Sequence, residues 1–455
     1  SIVQNDFNRM FVNRLPELLR QAFSFHQYHH HDPTAPLSKK GFFMKRVVIT
    51  GMGTVNPLGC NLETFWNNVK QGKLGISTID TFDTTEVEIS VAGIVRDFDP
   101  AAHLDKKDIR HMERFTQFAV VAAKEALEDC GSDLKDLDPY RCGVIIGCGV
   151  GGLEMTQKQH SIYLEKGPNR ISPFFVPMMI SNMAGGQVAM KTNFRGDNYC
   201  TVTACASATH AIGEAFRKIK DGYLDACLCG GTESSVDEFT IGGFKTMKAL
   251  TKETDPAKAS TPFDKNRSGF VLGEGCGVLL LEEYEHAVAR GAKIYCELAG
   301  YGATCDAYHM TSPAPEGEAA AKAMVNAYTE AGLQPSDITY INAHGTSTGL
   351  NDKYETRAIK IALGEEAAKT VKINSTKSMT GHMLGGTGAV EAIVSAMSIH
   401  ENFLHQTIGY TTPDPECDLD YCTEAPVECE VKAALSNSLG FGGHNATLCF
   451  KKCVD

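Results

Sequence analysis

The chain has 455 residues, enough for one large core or two packed lobes, and its 43% hydrophobic and 22% charged residues are ordinary for a globular protein. The formal net charge of −12 argues against general nucleic-acid binding, because that activity needs a basic surface. The longest apolar runs, such as residues 276–281, are too short to span a bilayer, so membrane insertion is not expected.

Residues 1–43 differ in composition from the rest of the chain. They are rich in Asn, Gln, Phe and His and contain the run His29-His30-His31. A clean apolar strand follows Met44, which we interpret as the native start. The segment 1–43 is therefore expected to lie outside the main fold, as an expression fusion, an upstream extension or an organelle transit peptide. Its three acidic residues weaken the transit-peptide interpretation.

From Met44 onward, short apolar strands alternate with helices. Continuous apolar strands between helices predict an α/β fold whose sheets are covered on both faces. The predicted strands include 142–146, 226–229, 275–282, 340–342 and 446–450. The predicted helices include 113–130, 206–220, 317–331 and 389–400.

Two halves of the chain resemble each other. Each opens with a strand that ends in glycines, Gly51-Met52-Gly53 in the first half and Gly300-Tyr301-Gly302 in the second. Each also closes with a strand and a glycine-rich turn. We therefore expect two similar halves, residues 44–296 and residues 297–455.

Sixteen cysteines lie mostly inside these apolar elements. This placement predicts small buried thiols in a reducing compartment, and hence a cytoplasmic protein. Cys227 and Cys229 are the closest pair, but no obvious ligand partners accompany them, so a zinc site is disfavoured.

Residues 147–152 follow a predicted strand and satisfy the GxGxxG pattern of dinucleotide-binding loops. Such a site needs a helix that starts at the last glycine and an acidic residue that closes the next strand. Here the stretch leads instead into a loop with three prolines, at 168, 173 and 177. The favoured interpretation is a tight turn that lets backbone approach another element, with NAD binding as the alternative.

Cys205 lies where an apolar strand turns into a helix dense in small residues. Unpaired N–H groups and the positive end of the helix dipole at a helix N-terminus favour the thiolate, which is the nucleophilic form. Cys205 is therefore a candidate nucleophile.

Two histidines and a lysine follow apolar strands in the second half. His344 and His382 each lie in a turn rich in glycine and hydroxyl residues, where α/β proteins place chemistry. Lys377 ends a strand, and a buried ammonium needs an acidic partner. Asp352 and Glu355 are the candidates for that partner.

Three motifs carry a family resemblance: TACASATHA at 203–211, NAHGTSTG at 342–349 and STKSMTGHMLGGTGAVEA at 375–392. Over residues 44–452 the chain resembles the β-ketoacyl-[acyl-carrier-protein] synthases, most closely the type II elongating synthases. The resemblance implies a thiolase-like fold, a five-layered αβαβα sandwich of two similar halves, and a homodimer.

The resemblance also implies a two-stage reaction. Cys205 takes an acyl chain as a thioester, and malonyl-carrier then loses CO2 and attacks that thioester. The backbone N–H groups of Cys205 and Phe441 are expected to hold the oxyanion, and His344 and His382 the enolate. Lys377, tied to Asp352 and Glu355, is expected to order this pair.

Substrate contacts follow from the same resemblance. Thr346 and Thr348 are expected to bind the phosphopantetheine arm, which arrives on the carrier, and no separate cofactor is expected. Phe244 and Phe441 are expected to line the acyl pocket, with Phe441 as a gate, and Val150 to lie at its far end. Two departures from the family pattern, Leu439 and His444, lie near this gate.

A monovalent cation and a protein partner are also implied. Oxygen ligands for a cation are expected from Asn342, Glu391, Ser436 and Asn445. The acidic acyl carrier protein is expected to dock on locally concentrated positive charge. The alternative interpretation of the basic run is a solvated helix face. The docking candidates are Lys106, Lys107, Arg110 and Arg114 on one predicted helix, with Lys245 and Lys248 after the Phe244 loop.

Two alternatives remain open. A polyketide-type ketosynthase has the same fold and uses other acyl chains. A non-catalytic scaffold that binds acyl carrier belongs to a different class, and the intact Cys205, His344, Lys377 and His382 argue against it.

Overall fold

The computed structural model describes residues 44–132 and 134–454, so the interpretation of the segment 1–43 lies outside the described residues. Strands and helices alternate as the apolar pattern predicts. The strands are β1 (Val47–Val55), β2 (Ile76–Thr78), β3 (Val91–Gly93), β4 (Cys142–Gly147), β5 (Asn198–Tyr199), β6 (Ala226–Glu233), β7 (Gly275–Glu283), β8 (Cys296–Cys305), β9 (Tyr340–Asn342), β10 (Lys372–Asn374), β11 (Phe403–Leu404), β12 (Val427–Glu428), β13 (Ala433–Gly440) and β14 (His444–Lys451). The helices are α1 (Leu62–Lys70), α2 (Lys106–His111), α3 (Arg114–Asp129), α4 (Leu153–Lys166), α5 (Phe175–Met179), α6 (Met183–Thr192), α7 (Ser207–Lys220), α8 (Glu238–Thr246), α9 (Pro256–Ala259), α10 (Tyr284–Ala289), α11 (Glu318–Glu330), α12 (Asn351–Leu363), α13 (Glu365–Thr370), α14 (Lys377–Thr380) and α15 (Thr387–Glu401).

Ten strands form one sheet in the order β10-β9-β13-β14-β8-β1-β7-β6-β4-β5. Its two halves have the same pairing pattern, because β5-β4-β6-β7-β1 and β10-β9-β13-β14-β8 each comprise two parallel and then two antiparallel pairs. The halves join where Val47–Ile49 of β1 pairs with Cys296–Leu298 of β8. The predicted similarity of the two halves is confirmed.

Helices cover the sheet halves as the αβαβα arrangement requires. α7 and α15 lie between the halves, where α7 packs on β4 and β6 and α15 packs on β7 and β13. α3 covers β1 and β7 on one outside, and α11 covers β8 and β14 on the other. Because α15 is sandwiched, its residues 387–399 are all buried. No helix among the residues described by the structure is long and apolar enough to cross a membrane.

The glycine pairs that open each half let the outer helices approach the sheet. A Cβ on Gly51 or Gly53 would lie 2.0 or 2.1 Å from a carbonyl oxygen of α3. A Cβ on Gly300 or Gly302 would lie 2.0 or 1.9 Å from a carbonyl oxygen of α11. The repeated G-x-G is therefore a packing feature, since each α-helix lies directly on the strand backbone.

We expect Gly302→Ala to destabilise the protein by about 2 kcal/mol or more, because the new methyl group meets the carbonyl of Ala323, which cannot move without moving α11. Urea denaturation of the purified protein measures this change. Gly242→Ala is the matched control, since Gly242 lies inside α8 with no heavy atom near its Cβ position, and the helix gains propensity. Equal effects of the two substitutions would contradict the packing argument.

Candidate active site

Cys205 lies in a 3-10 turn, Ala204–Ala206, directly before α7. Ala204 has a φ of 51°, so a non-glycine residue is held in the left-handed region immediately before the cysteine. This strained turn changes the chain direction sharply before α7, and Cys205 lies at the corner. The predicted placement at a helix start is therefore what the structure shows.

The thiol of Cys205 does not have the lowered pKa that its helix position suggested. Burial raises its pKa to about 11, and the nearby carboxylate of Glu233 adds to the increase. Lys377 and the N–H groups of Phe441 and Cys205 act in the opposite direction without overcoming burial. The Cys205 thiol is consequently neutral near pH 7.

His344 and His382 face this thiol. Their ring centroids are 5.4 Å apart with nearly perpendicular planes, and each has a ring nitrogen in a group with the Cys205 Sγ whose members all lie within 4.8 Å of one another. Both side chains are buried. Burial lowers the pKa of each imidazole well below its ordinary value, and the charge of Lys377 lowers it further. Both rings are therefore neutral near pH 7.

Hydrogen bonds assign the tautomers of the two histidines. The Nζ of Lys377 donates to the Nδ1 of His344 at 3.3 Å, which leaves the proton of that ring on Nε2. The Nδ1 of His382 lies 3.0 Å from the hydroxyl of Thr387, while its Nε2 is buried without a hydrogen-bond partner among the described residues. We assign the hydroxyl of Thr387 as donor, so that His382 also carries its proton on Nε2.

The tautomers of the two histidines also decide whether this group of side chains is suited to bind a metal ion. A thiol and two imidazoles at this spacing form the kind of donor set that zinc uses. However, the His344 Nε2 lone pair is occupied by a proton as long as Lys377 donates to Nδ1. The group is therefore better suited to donate hydrogen bonds to an oxygen than to coordinate a metal ion.

Lys377 pairs with a different acid from the two that were expected. Its Nζ donates to Glu391 Oε1 and to the backbone oxygen of His344, both at 2.6 Å, and the charged pair is 1% and 0% exposed. Glu355 instead accepts from the backbone N–H groups of His344 and Gly345 at 2.7 and 2.8 Å. Glu355 interacts with Lys377 through a longer-range electrostatic attraction.

Asp352 is likewise not a partner of Lys377. It accepts from the backbone N–H of Phe263 at 2.8 Å and lies 3.8 Å from the guanidinium of Arg267. It also accepts from the N–H of Ser347 at 3.2 Å. The two acids thus hold the backbone of the turn that carries His344, and the expectation that they bind the lysine is corrected.

The backbone of Phe441 lies beside Cys205. The N–H groups of both residues point at the thiol sulfur and favour its ionised form. A Cβ on the preceding Gly440 would lie 3.3 Å from the N of Cys205, which shows how closely the two turns pack. Gly442 and Gly443 follow with φ values of 87° and 78°, conformations that favour glycine.

A cavity of about 710 Å³ opens onto these groups. All five of the predicted substrate contacts line it. They are Val150, Phe244, Thr346, Thr348 and Phe441. The hydroxyls of Thr346 and Thr348 lie 2.9 Å apart on one wall.

Several other cavity residues had no predicted role. Phe270 contacts both Phe244 and His382 edge to face, with ring centroids 5.5 and 5.3 Å apart. Met310 accepts the N–H of Gly442 at 2.8 Å through its backbone oxygen. Phe270 lies in the stretch GFVLGEG at 269–275, which also resembles the family pattern, so the sequence held a signal for it, whereas Met310 lies in a loop without one.

The two departures from the family pattern both lie near Phe441. Leu439 lines the cavity. The His444 ring lies 3.0 Å from the position of a Cβ on Gly442, and it faces the His210 ring with centroids 6.3 Å apart.

The candidate docking residues have different surroundings. Lys106, Lys107 and Arg110 are exposed on α2. Lys248 is exposed at the cavity wall. Lys245 pairs with Glu88 at 3.2 Å, so its charge is partly neutralised. Arg114, which was expected to extend the basic face of α2, pairs with the buried Glu274 at 2.9 Å.

Three of the four expected cation ligands have buried oxygens without a hydrogen-bond partner among the described residues. These are Asn342 Oδ1, Glu391 Oε2 and Ser436 Oγ. Asn445 is placed differently, since it lines the cavity and donates to Asp306 at 2.7 Å. The oxygens of the first three fit a hard cation.

The GxGxxG turn binds a carboxylate of this chain. The N–H groups of Gly149, Val150 and Gly151 donate to Glu233 at 2.8–3.2 Å. These are the groups that would hold a phosphate, so the turn is the close backbone approach that was favoured over NAD binding.

Comparisons with known proteins show the family of this chain. The profile of the Beta-ketoacyl synthase N-terminal domain matches residues 44–287, and that of the Beta-ketoacyl synthase C-terminal domain matches residues 295–411. The chain is 50% identical over 409 residues to a 3-oxoacyl-[acyl-carrier-protein] synthase 2 of Synechocystis sp., which covers 90% of this chain and 98% of the relative. It is also 50% identical over 408 residues to the synthase 2 of Staphylococcus aureus, with the same coverage.

Solved structures show the same fold. A Beta-ketoacyl synthase from Burkholderia phymatum matches with a TM-score of 0.84 and 34% identity over 90% of this chain and 100% of that one. The ketosynthase of a type II polyketide synthase, solved with its acyl-carrier protein and bound to the hexaketide, matches with a TM-score of 0.83 and 35% identity over the same shares. The fold is therefore the thiolase-like ketosynthase fold, and the chain belongs to the β-ketoacyl synthase family.

Proposed function

We propose that this chain catalyses the decarboxylating condensation of malonyl-[acyl-carrier-protein] with an acyl chain held as a thioester on Cys205, giving β-ketoacyl-[acyl-carrier-protein] in fatty-acid elongation. The observation that carries the proposal is the thiol of Cys205 grouped with two neutral imidazoles within 4.8 Å on a cavity of about 710 Å³. The 50% identity to relatives named 3-oxoacyl-[acyl-carrier-protein] synthase 2 supports it.

In the first stage, the sulfur of Cys205 attacks the carbonyl of the acyl-carrier thioester. Charge develops on the carbonyl oxygen, and the N–H groups of Cys205 and Phe441 are aimed at that side of the sulfur. The bond to the phosphopantetheine sulfur then breaks, and that thiol leaves with the proton that Cys205 gave up. The exchange is nearly balanced, because a thioester is replaced by a thioester.

In the second stage, the thioester oxygen of malonyl-carrier accepts hydrogen bonds from the Nε2–H groups of His344 and His382. Loss of CO2 leaves an enolate, whose negative charge these two neutral donors stabilise. The enolate carbon attacks the carbonyl of the acyl-cysteine and displaces the sulfur. One proton is taken up to regenerate the Cys205 thiol.

Thr346 and Thr348 are proposed to bind the phosphopantetheine arm, and Val150, Phe244 and Phe441 to contact the acyl chain. All five line the cavity with Cys205. Phe441 is flanked by glycines that lower the cost of backbone movement, which supports its proposed role as a gate.

A polyketide-type ketosynthase would use the same groups on other acyl chains. The identity of 50% to relatives named 3-oxoacyl-[acyl-carrier-protein] synthase 2, against 35% to the polyketide ketosynthase, favours fatty-acid elongation. A non-catalytic scaffold would need neither the thiol nor the two oriented imidazoles.

The proposed partner is acyl carrier protein. The exposed cations Lys106, Lys107, Arg110 and Lys248 supply local positive charge on an acidic chain, with a smaller contribution from the paired Lys245. A neighbour structure contains a ketosynthase bound to its own acyl-carrier protein.

A homodimer, a monovalent cation and a cytoplasmic location complete the proposal. β5 is an edge strand of the ten-stranded sheet, and nearby Val202 is 58% exposed. A second copy of the chain would cover this surface.

The buried oxygens of Asn342, Glu391 and Ser436 would hold the cation, whose charge would offset that of the Glu391 carboxylate.

We expect Cys205→Gln to abolish condensation while malonyl-carrier decarboxylation continues, because the variant loses the nucleophile and keeps both imidazoles. His382→Ala should lower decarboxylation by about 100-fold to 1,000-fold, since one enolate donor is lost. Product analysis of mixtures of acyl-carrier and malonyl-carrier measures both rates, and intact mass reports the acyl adduct on Cys205. Wild-type protein that forms neither adduct nor product would remove the enzyme proposal.

The raised thiol pKa predicts how alkylation of Cys205 depends on pH. The rate with iodoacetamide should increase about ten-fold per pH unit from pH 7 to 10, because the thiolate fraction is still growing below a pKa of about 11. Lys377→Met should slow the reaction at every pH in this range, since the cation that favours the thiolate is gone. Adduct formation at position 205 is followed by peptide mass. A rate that levels off near pH 8 would contradict the neutral-thiol assignment.

A further inference from the structure

Glu233 is a buried carboxylate that takes no part in the chemistry above. It ends β6 and is 0% exposed. Its two oxygens accept hydrogen bonds from five donors outside its own strand. The donors are the backbone N–H groups of Gly149, Val150, Gly151 and Gly385, at 2.8–3.2 Å, and the thiol of Cys148 at 3.3 Å.

These donors belong to two segments that form one side of the cavity. The first segment, Cys148–Gly151, carries Val150, which lines the cavity. The second segment, Leu384–Gly386, follows His382, and Leu384 lines the cavity as well. Glu233 therefore lies at the junction between two parts of the cavity wall.

The junction has no room for a side chain at Gly149 or Gly385. A Cβ on Gly385 would lie 2.2 Å from the N of Gly149, and a Cβ on Gly149 would lie 2.9 Å from Glu233 Oε2 and 3.5 Å from the oxygen of Ala204. The first segment thus touches the second segment, the carboxylate and the turn that holds Cys205. A shift of either segment would change the distance between the wall and the nucleophile.

Charge explains why an acid occupies this junction. Four N–H dipoles that converge on one point repel each other unless an anion receives them, as in the anion-binding nests of protein backbones. A glutamine of the same shape would present an NH2 group to donors on one side, whichever way its amide is turned. The arrangement accordingly depends on the carboxylate rather than on side-chain volume.

We propose that Glu233 is a positioning residue that fixes Val150 relative to Leu384 and thereby sets the range of acyl chain lengths that reach Cys205. The inference rests on the proposed function, since it concerns how the cavity accepts the acyl chain. Glu233 acts through the two wall segments and not on the reacting atoms.

The first experiment needs no substrate. Hydrogen exchange of the wild-type protein should show the amides of residues 149–151 and 385 protected to the level of amides in β6 and β7, although they lie in turns. Glu233→Gln should release these amides selectively. Exchange at the rate of exposed turns in the wild type would overturn the inference, and this result is available even if the variant does not fold.

The second experiment compares butyryl-carrier with myristoyl-carrier as acyl donors. Glu233→Gln should lower kcat/KM for the long chain by about ten-fold relative to the short chain, because a displaced wall obstructs the deep part of the cavity first. An unchanged ratio of the two would overturn the inference.

Glu282→Gln is the matched control. Glu282 is also a fully buried acid of the same sheet, bonded at 2.8 Å to Thr50 and Arg290. It pairs with Ala226 at the opposite end of β6 from Glu233, about 23 Å along the strand. Glu282→Gln should lower stability and leave the ratio of kcat/KM for the two chain lengths unchanged. An equal shift of this ratio in both variants would show that Glu233 is only a general stabilising residue and would overturn the inference.

Wild-type protein without condensation activity would contradict the proposed function alone, since the exchange data still test the positioning.

Discussion

The buried ammonium group of Lys377 is the constraint from which the arrangement of the candidate active site follows. Moving an ammonium ion or a carboxylate out of water costs several kcal/mol each, so the pair with Glu391 persists only because its geometry is good and further acceptors are present. The backbone oxygen and the Nδ1 of His344 are those further acceptors. The bond that satisfies the lysine is therefore also the bond that sets the tautomer and orientation of the histidine.

The charge of Lys377 lies at the Nδ1 side of His344. The groups that face one another in the site, the Cys205 thiol and the two imidazoles, are uncharged. Burial raises the pKa of the Cys205 thiol and lowers the pKa of both imidazoles, so three groups that titrate readily in water are all neutral when they meet. Negative charge then appears only as a reaction proceeds, on an oxyanion or an enolate, where N–H donors are already in place. A resting thiolate would have bound these donors before the substrate arrived.

Apolar periodicity and the repeated G-x-G strands predicted an α/β fold of two similar halves, and the motifs that carry the family resemblance singled out Cys205, His344 and His382, which the structure brings together. It did not predict the partner of Lys377, since Asp352, Glu355 and Glu391 are all buried acids and only the three-dimensional distances rank them. The thiol pKa was predicted in the wrong direction because a helix N-terminus is visible in a sequence and the depth of burial is not.

The repeated architecture explains why the candidate catalytic residues are divided between the halves. The 3-10 turn before α7 has a counterpart before α15, Leu384–Gly386, and the first residue of each turn has a positive φ, 51° at Ala204 and 45° at Leu384. One copy of this strained turn presents Cys205, and the other carries a cavity wall residue and leads to Thr387, which orients His382. Where the two helices meet, Gly388 lies against Thr209. Because α7 and α15 pack directly on each other in the middle layer, the same duplication that builds the core brings the Cys205 thiol and the His382 imidazole together.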